Sequence, residues 1–114
     1  MESLKIDTDT RPDGTLILAL TGAADLTGAP VLERQVTLLY AKRPPHIVLD
    51  LSKRDFISSL AMGMLVSLSR SAKGWKGRVT LAAPTQLVMG SFKHARLDAL
   101  LTIVPSVEAA LATT

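Results

Sequence analysis

Residues 46–51 read HIVLDL, and this stretch decides the fold. It is short, rich in β-branched residues and nearly continuous in apolar content, which is typical of a strand covered on both faces. SKRDF follows it, and then comes ISSLAMGMLVSLSRSAKG, residues 57–74, in which apolar side chains recur at helical spacing. The sequence therefore predicts a central strand, a short loop and a helix that ends near Gly74.

Outward from this unit, strands and helices alternate along the chain. The predicted strands cover residues 4–10, 15–21, 78–82 and 102–104. The predicted helices run from a cap at Thr27 to the prolines at 44 and 45, from Pro84 to Ala95, and from Ser106 to Leu111. Strands that alternate with helices are joined by right-handed crossovers. We therefore expect an α/β fold with a mixed, mostly parallel β-sheet of about five strands, beginning with a hairpin, and about four helices packed against it.

The length and composition of the sequence predict one domain, residues 1–114. A chain of 114 residues with 47% hydrophobic and 20% charged residues has the size and apolar content of a single core. It contains no cysteine, which excludes disulfides, thiolate nucleophiles and cysteine-based zinc sites. Its longest apolar run, residues 60–66, is far shorter than the roughly 20 residues of a membrane span. Residues 1–13 also lack the apolar segment of a signal peptide. We expect a cytoplasmic protein that does not insert into membranes.

Charge is unevenly distributed along the chain. The net charge of +3 is mildly basic and does not predict a nucleic-acid-binding protein. No acidic residue lies between Asp55 and Asp98, a stretch with six lysines and arginines: Arg70, Lys73, Lys76, Arg78, Lys93 and Arg96. This pattern indicates either an ordinary solvated face or a positive surface toward which an acidic partner would be steered.

The sequence offers little support for catalysis. Without cysteine, an activated nucleophile would need His46 or His94 as its base. His46 follows two prolines at a strand entrance, and His94 lies near a helix end where a cation suits the dipole, so both positions favour structural roles. Metal-ligand spacing, phosphate-binding loops and the Gly-x-Ser-x-Gly elbow are absent from the sequence. We expect a binding protein, not an enzyme, with no metal and no cofactor.

Two serines at the strand-to-helix junction remain as candidates for function. The loop delivers Ser58 and Ser59 to a helix N-terminus, where free N–H groups and the positive end of the helix dipole lie. A phosphate there would add about −1.5 to −2 charges at a place that tolerates them. Alternatively, one serine only caps the helix, which is worth about 1 kcal/mol. Spacing alone leaves both interpretations open and favours the cap.

The same junction resembles the STAS domain, the family of bacterial anti-sigma factor antagonists that also includes the cytoplasmic tails of sulfate transporters. The family pattern is a Val-Leu-Asp-Leu-Ser strand end, a short loop and Phe-Ile-Asp-Ser-Ser-Gly-Leu-Gly at the start of a helix. Residues 48–52 (VLDLS) and 56–63 (FISSLAMG) match it in order and spacing. The resemblance extends to GAAD at residues 22–25 and to RLDAL at residues 96–100, where Arg96 replaces a family glycine.

The resemblance implies that this chain is an anti-sigma factor antagonist regulated by phosphorylation. Ser59, four residues before Gly63, corresponds to the phosphate acceptor. In its unmodified form the protein would sequester an anti-sigma factor that is also a serine protein kinase, and phosphorylation would release that partner. Three neighbours depart from the pattern: Ser58 replaces an aspartate, Leu60 a serine and Ala61 a glycine. These departures make Ser58 a candidate second or substitute acceptor.

The implied partner surface comprises the N-terminal end of the 59–73 helix and the neighbouring 22–28 loop. Its residues are Asp25, Thr27, Ser58, Ser59, Leu60, Met62 and Gly63. Two other functions stay open: a STAS adaptor or scaffold, in a transporter or stress-sensing assembly, whose Ser59 is never phosphorylated, and a small-ligand-binding protein. The resemblance leaves the oligomeric state undetermined.

Overall fold

The computed structural model describes residues 5–21, 29–53 and 57–112, with side chains in the first helix described from residue 33 onward. The strands are β1 (Lys5–Thr10), β2 (Leu16–Thr21), β3 (His46–Asp50), β4 (Arg78–Ala82) and β5 (Thr102–Val104). The helices are α1 (Ala29–Lys42), α2 (Ser59–Gly74), α3 (Gln86–His94) and α4 (Val107–Leu111), with a 3₁₀ turn at Leu97–Ala99. The predicted elements are all present, and the 3₁₀ turn was not predicted.

The start of α3 differs from the sequence-based prediction. The helix begins at Gln86 and not at Pro84, because Thr85 is its N-cap. The Thr85 hydroxyl accepts a hydrogen bond from the Val88 N–H at 3.2 Å. Such a bond satisfies one of the free N–H groups at a helix start, so the helix begins where an acceptor side chain is available.

The five strands form one mixed sheet in the order β1-β2-β3-β4-β5. β1 and β2 pair antiparallel as a hairpin, and the other neighbours are parallel. In the hairpin turn, Asp13 Oδ1 accepts a hydrogen bond from the Thr15 N–H at 2.9 Å, and Gly14 adopts a φ of 91° that favours glycine. The Thr15 N–H lowers the pKa of Asp13 below its ordinary value. The predicted α/β fold is confirmed, with β3 in the middle of the sheet.

Helices cover both faces of the sheet. On one face, α1, α2 and α3 pack onto alternate strand residues such as Leu18, Ile47 and Leu81 in the main core. On the other face, α4 packs over a smaller cluster that contains Val48 and Ala110. β3 is thus buried from both sides, as its continuous apolar sequence predicted. Within the described ranges, none of the helices has the length and apolar character needed to span a membrane.

His46 is a buried structural residue at the start of β3. It is only 2% exposed, and its Nε2 lies 2.8 Å from Thr80 Oγ1 on the neighbouring strand β4. Its Nδ1 is buried and has no hydrogen-bond partner within the described part of the chain. Burial, reinforced by the positive charge of Arg78, lowers the pKa of His46 below the ordinary 6.5. The ring is therefore held neutral in the folded protein near neutral pH.

The lowered pKa of His46 predicts a loss of stability in mild acid. The unfolded chain binds the proton first, so the free energy of unfolding is fully maintained above pH 6.5 and falls as the pH drops through the lowered value. We expect urea denaturation to show this fall, and a His46→Leu/Thr80→Val double variant to show a flatter pH dependence over the same window. The hydrogen bond from the Thr15 N–H lowers the pKa of Asp13 from 3.8, so its contribution to stability is lost as the pH falls below that value. Equal slopes in the two proteins would contradict the assignment to His46.

Candidate functional site

The candidate site lies where β3 ends and α2 begins. Past the last β3 residue, the Leu51 N–H still pairs with the Ala82 carbonyl at 2.9 Å, which holds the strand end against β4. The Ser52 N–H then donates to Asp50 Oδ1 at 3.0 Å and turns the chain out of the sheet. Ile57 returns it to the core, where it is only 5% exposed. This buried anchor fixes where the following residues emerge at the surface.

Ser58 is the N-cap of α2. It has extended φ and ψ angles of −77° and 159°, and its hydroxyl accepts a hydrogen bond from the Ala61 N–H at 3.1 Å. Its carbonyl also accepts the first helical bond, from the Met62 N–H at 2.9 Å. The capping role that the sequence left open between two serines therefore belongs to Ser58.

Ser59 is the first residue of α2 and is exposed to solvent. Its hydroxyl thus lies at the positive end of the helix dipole but outside the cap. The two adjacent serines have different positions: Ser58 closes the helix end, and Ser59 is presented at the surface.

We expect the two serines to respond differently to removal of the hydroxyl. Ser58→Ala leaves the Ala61 N–H without its cap and should lower the free energy of unfolding by about 1 kcal/mol. Ser59→Ala removes an exposed hydroxyl and should change it by less than about 0.5 kcal/mol. Urea denaturation of both variants measures the difference. Equal losses would mean that the cap assignment is wrong.

The other expected partner-binding residues divide between surface and core. Leu60 is 46% exposed, and Gly63 is exposed with no atom, apart from its own stretch of helix backbone, within 4 Å of the position a Cβ would occupy. Met62 differs from the expectation, because it is only 8% exposed and packs in the core. It lies three residues before the fully buried Leu65, on the inward side of the helix. The other two expected residues, Asp25 and Thr27, lie outside the described residues.

An open groove of about 550 Å³ separates the first turn of α2 from α3. The α2 side contributes Ser58, Ser59 and Met62, and the α3 side contributes Leu87, Gly90, Ser91 and His94. The four α3 residues recur at spacings of three and four and so form one stripe of the helix. The sequence predicted His94 near a helix end but did not predict that it lines a groove with the serines. The spacing of these α3 residues is visible in the sequence and indicates that they share one side of the helix. It does not identify the helix that this side faces.

Cationic side chains lie beside the α3 end of the groove. Lys93 and His94 lie in the last turn of α3, and Arg96 follows with a left-handed φ of 60°. The left-handed region favours glycine after a helix, which is the residue that the family pattern has there. This chain therefore keeps the bend at the helix end and adds a cation beside the groove. Within the described ranges, no three histidine, aspartate or glutamate side chains are grouped as a metal site.

Comparisons with known proteins identify relatives of this fold. The STAS domain family model matches residues 5–110. BtrV of Bordetella bronchiseptica, described as a candidate anti-sigma factor antagonist, is 27% identical over 100 residues, which are 88% of this chain and 86% of that protein. An anti-sigma factor antagonist from Mycobacterium paratuberculosis superimposes with a TM-score of 0.87 at 23% identity, covering 96% of this chain and 92% of the other.

SpoIIAA is a further structural neighbour. Its unphosphorylated form matches with a TM-score of 0.79 at 17% identity, over 96% of this chain and 95% of SpoIIAA. Its phosphorylated form, from Bacillus, matches with a TM-score of 0.73 at 15% identity, over 96% and 98% of the two chains. At these identities, the likeness concerns the fold.

Proposed function

The chain belongs to the STAS domain family, and we propose that it is an anti-sigma factor antagonist controlled by phosphorylation of Ser59. In its unmodified form, the single domain sequesters an anti-sigma factor that is also a serine protein kinase. Phosphorylation of Ser59 releases the kinase. The protein acts in the cytoplasm as a binding protein and not as an enzyme.

The observation that carries this proposal is the separation of the two serines. The cap of α2 is closed by the Ser58 hydroxyl, which accepts from the Ala61 N–H. The neighbouring Ser59 is exposed and can gain a phosphate without loss of that bond. A dianion at the first residue of a helix is also favoured by the dipole. Modification at Ser59 can therefore change the surface and leave the fold intact.

The surface around Ser59 has the composition of a docking site. Leu60 beside it is 46% exposed, and Leu87 across the groove is 67% exposed. Gly63 and Gly90 have open space where a side chain would project, so a partner backbone could approach both helices closely. Interfaces of ordinary size bury about 800 Å² on each side, and a few central residues dominate their energy. Ser59 is the neighbour of Leu60 on α2 and lines the same groove as Leu87, so it belongs to this surface.

The departures around Ser59 favour a second candidate function. Leu60 and Ala61 stand where the family pattern has serine and glycine, and Ser58 stands where it has aspartate. A kinase that reads those neighbours would not accept this chain. The alternative is an adaptor or scaffold that docks through the same surface and is never phosphorylated.

Incubation with the cognate kinase and ATP, followed by intact-mass measurement, distinguishes the two functions. We expect the wild-type protein and Ser58→Ala to gain one phosphate, and Ser59→Ala to gain none. Modification of Ser59→Ala but not of Ser58→Ala would instead make Ser58 the acceptor. If all three proteins bind the kinase and none is modified, the adaptor function is supported.

A further inference from the structure

The groove brings a titratable side chain to the serine that we propose to be phosphorylated. Ser59 lines it from the first turn of α2, and His94 lines it from the last turn of α3. Both side chains are exposed, so neither has to leave the core to reach across. A phosphate would also lengthen the Ser59 side chain, which lines the groove.

We propose that His94 forms an intramolecular ion pair with a phosphate on Ser59. This proposal rests on phosphorylation of Ser59 and adds a second residue that acts in the modified state. Each partner lies at the helix end that suits its charge: the phosphate at the N-terminus of α2 and the imidazolium at the C-terminus of α3. A bond from an imidazolium N–H to a phosphate oxygen is charge-assisted and stronger than a neutral one.

Other charged groups lie around His94 but not in the groove. Lys93 precedes it on α3, Arg96 follows the helix, and Asp98 lies in the 3₁₀ turn packed against α3. The groove residues contributed by α2, which are Ser58, Ser59 and Met62, carry no charge before modification. Within the described residues, His94 is the one titratable group that lines the groove together with Ser59.

The pair changes the docking surface in two ways. It places a phosphate and an imidazole between α2 and α3, where the open groove was available to a partner. It also neutralises part of the positive charge at the α3 end, so an acidic partner loses its electrostatic attraction. The modified surface is therefore both filled and altered in charge, with no change of fold.

The test uses protein in which phosphoserine is installed at position 59 through an expanded genetic code, so no kinase is required. The second ionisation of the phosphate, near pH 6 in free phosphoserine, is followed by ³¹P NMR. With His94 present, we expect its midpoint about 0.5 pH units or more below that of the His94→Gln variant, because a nearby cation favours the dianion. Lys93→Gln, which changes a neighbouring cation outside the groove, should retain most of the wild-type shift.

Two controls separate the ion pair from general electrostatics. Phosphoserine at position 67, on the exposed side of α2, should titrate identically with and without His94→Gln. The chain has two histidines, so the buried His46 serves as an internal reference: phosphorylation at position 59 should move the ring signals of His94 and leave those of His46 in place. Identical ³¹P midpoints in the wild type and His94→Gln would overturn the proposal. Absence of natural phosphorylation in the kinase experiment would instead refute the proposed function and leave this pairing standing.

Discussion

Phosphorylation of Ser59 should weaken binding to a verified anti-sigma partner about a thousandfold, because one imidazolium offsets only one of the phosphate's two charges, and burying the remaining charge in an interface costs about 4 kcal/mol. Ser59→Asp brings one charge in place of the phosphate's two, so we expect a smaller loss, of at least about tenfold. The thermal midpoint of Ser59→Asp should stay within a few degrees of wild type, since the helix cap is on Ser58 and a carboxylate suits the first turn. Calorimetric titration and thermal denaturation measure the two effects on the same samples.

The matched control for this variant is Ser67→Asp. Ser67 is exposed on α2, two turns from the groove. Its substitution by aspartate changes the net charge of the protein by the same amount as Ser59→Asp. It should reduce affinity by less than about twofold, because surface charges outside an interface are screened by solvent and salt. Unchanged affinity in Ser59→Asp would count against the switch. A large drop in its thermal midpoint would show that Ser59 supports the fold.

The strands and helices were predictable from periodicity. HIVLDL at residues 46–51 predicted a strand buried on both faces, and β3 is packed between α1–α3 on one side and α4 on the other. Pro12-Asp13-Gly14 lies between the first two predicted strands and forms the hairpin turn, because proline fixes φ and glycine accepts a positive φ in any surroundings. These features depend on residues that are close together in the sequence, so they can be predicted without knowledge of how distant segments pack.

The arrangement of the site was less predictable, since it depends on how distant segments pack. Ser58 and Ser59 carry the same hydroxyl group, and which of them caps the helix depends on where α2 begins after the buried Ile57. Met62 was expected at the partner surface, but it is only 8% exposed and packs in the core while it also lines the groove. His94 lines the same groove as the serines only because α3 lies on the other side of that groove from the first turn of α2. Helical spacing defines a face of each helix but not its neighbour.

The groove also depends on how α3 is held to the domain. This helix has nine residues, and two of them, Val88 and Phe92, are buried, both with no measurable exposure. Short helices are marginal in water without tertiary packing. Phe92 is the largest of the fully buried side chains within the described part of the chain. The α3 wall of the groove, with Leu87 and His94, is therefore kept in position mainly by the opposite side of the same helix.

Phe92→Ala should therefore lower the free energy of unfolding by about 3–5 kcal/mol, through lost burial and the cavity left behind. This is a large part of the 5–15 kcal/mol typical of a domain. Leu87→Ala, on the exposed side of α3, is the matched control and should change stability by less than about 0.5 kcal/mol. In native-state hydrogen exchange, the α3 amides of Phe92→Ala should lose protection before those of α2, because the helix has lost its main anchor. If Phe92→Ala lowered the free energy of unfolding no more than Leu87→Ala does, contacts other than those of Phe92 would hold α3 and the α3 wall of the groove in place.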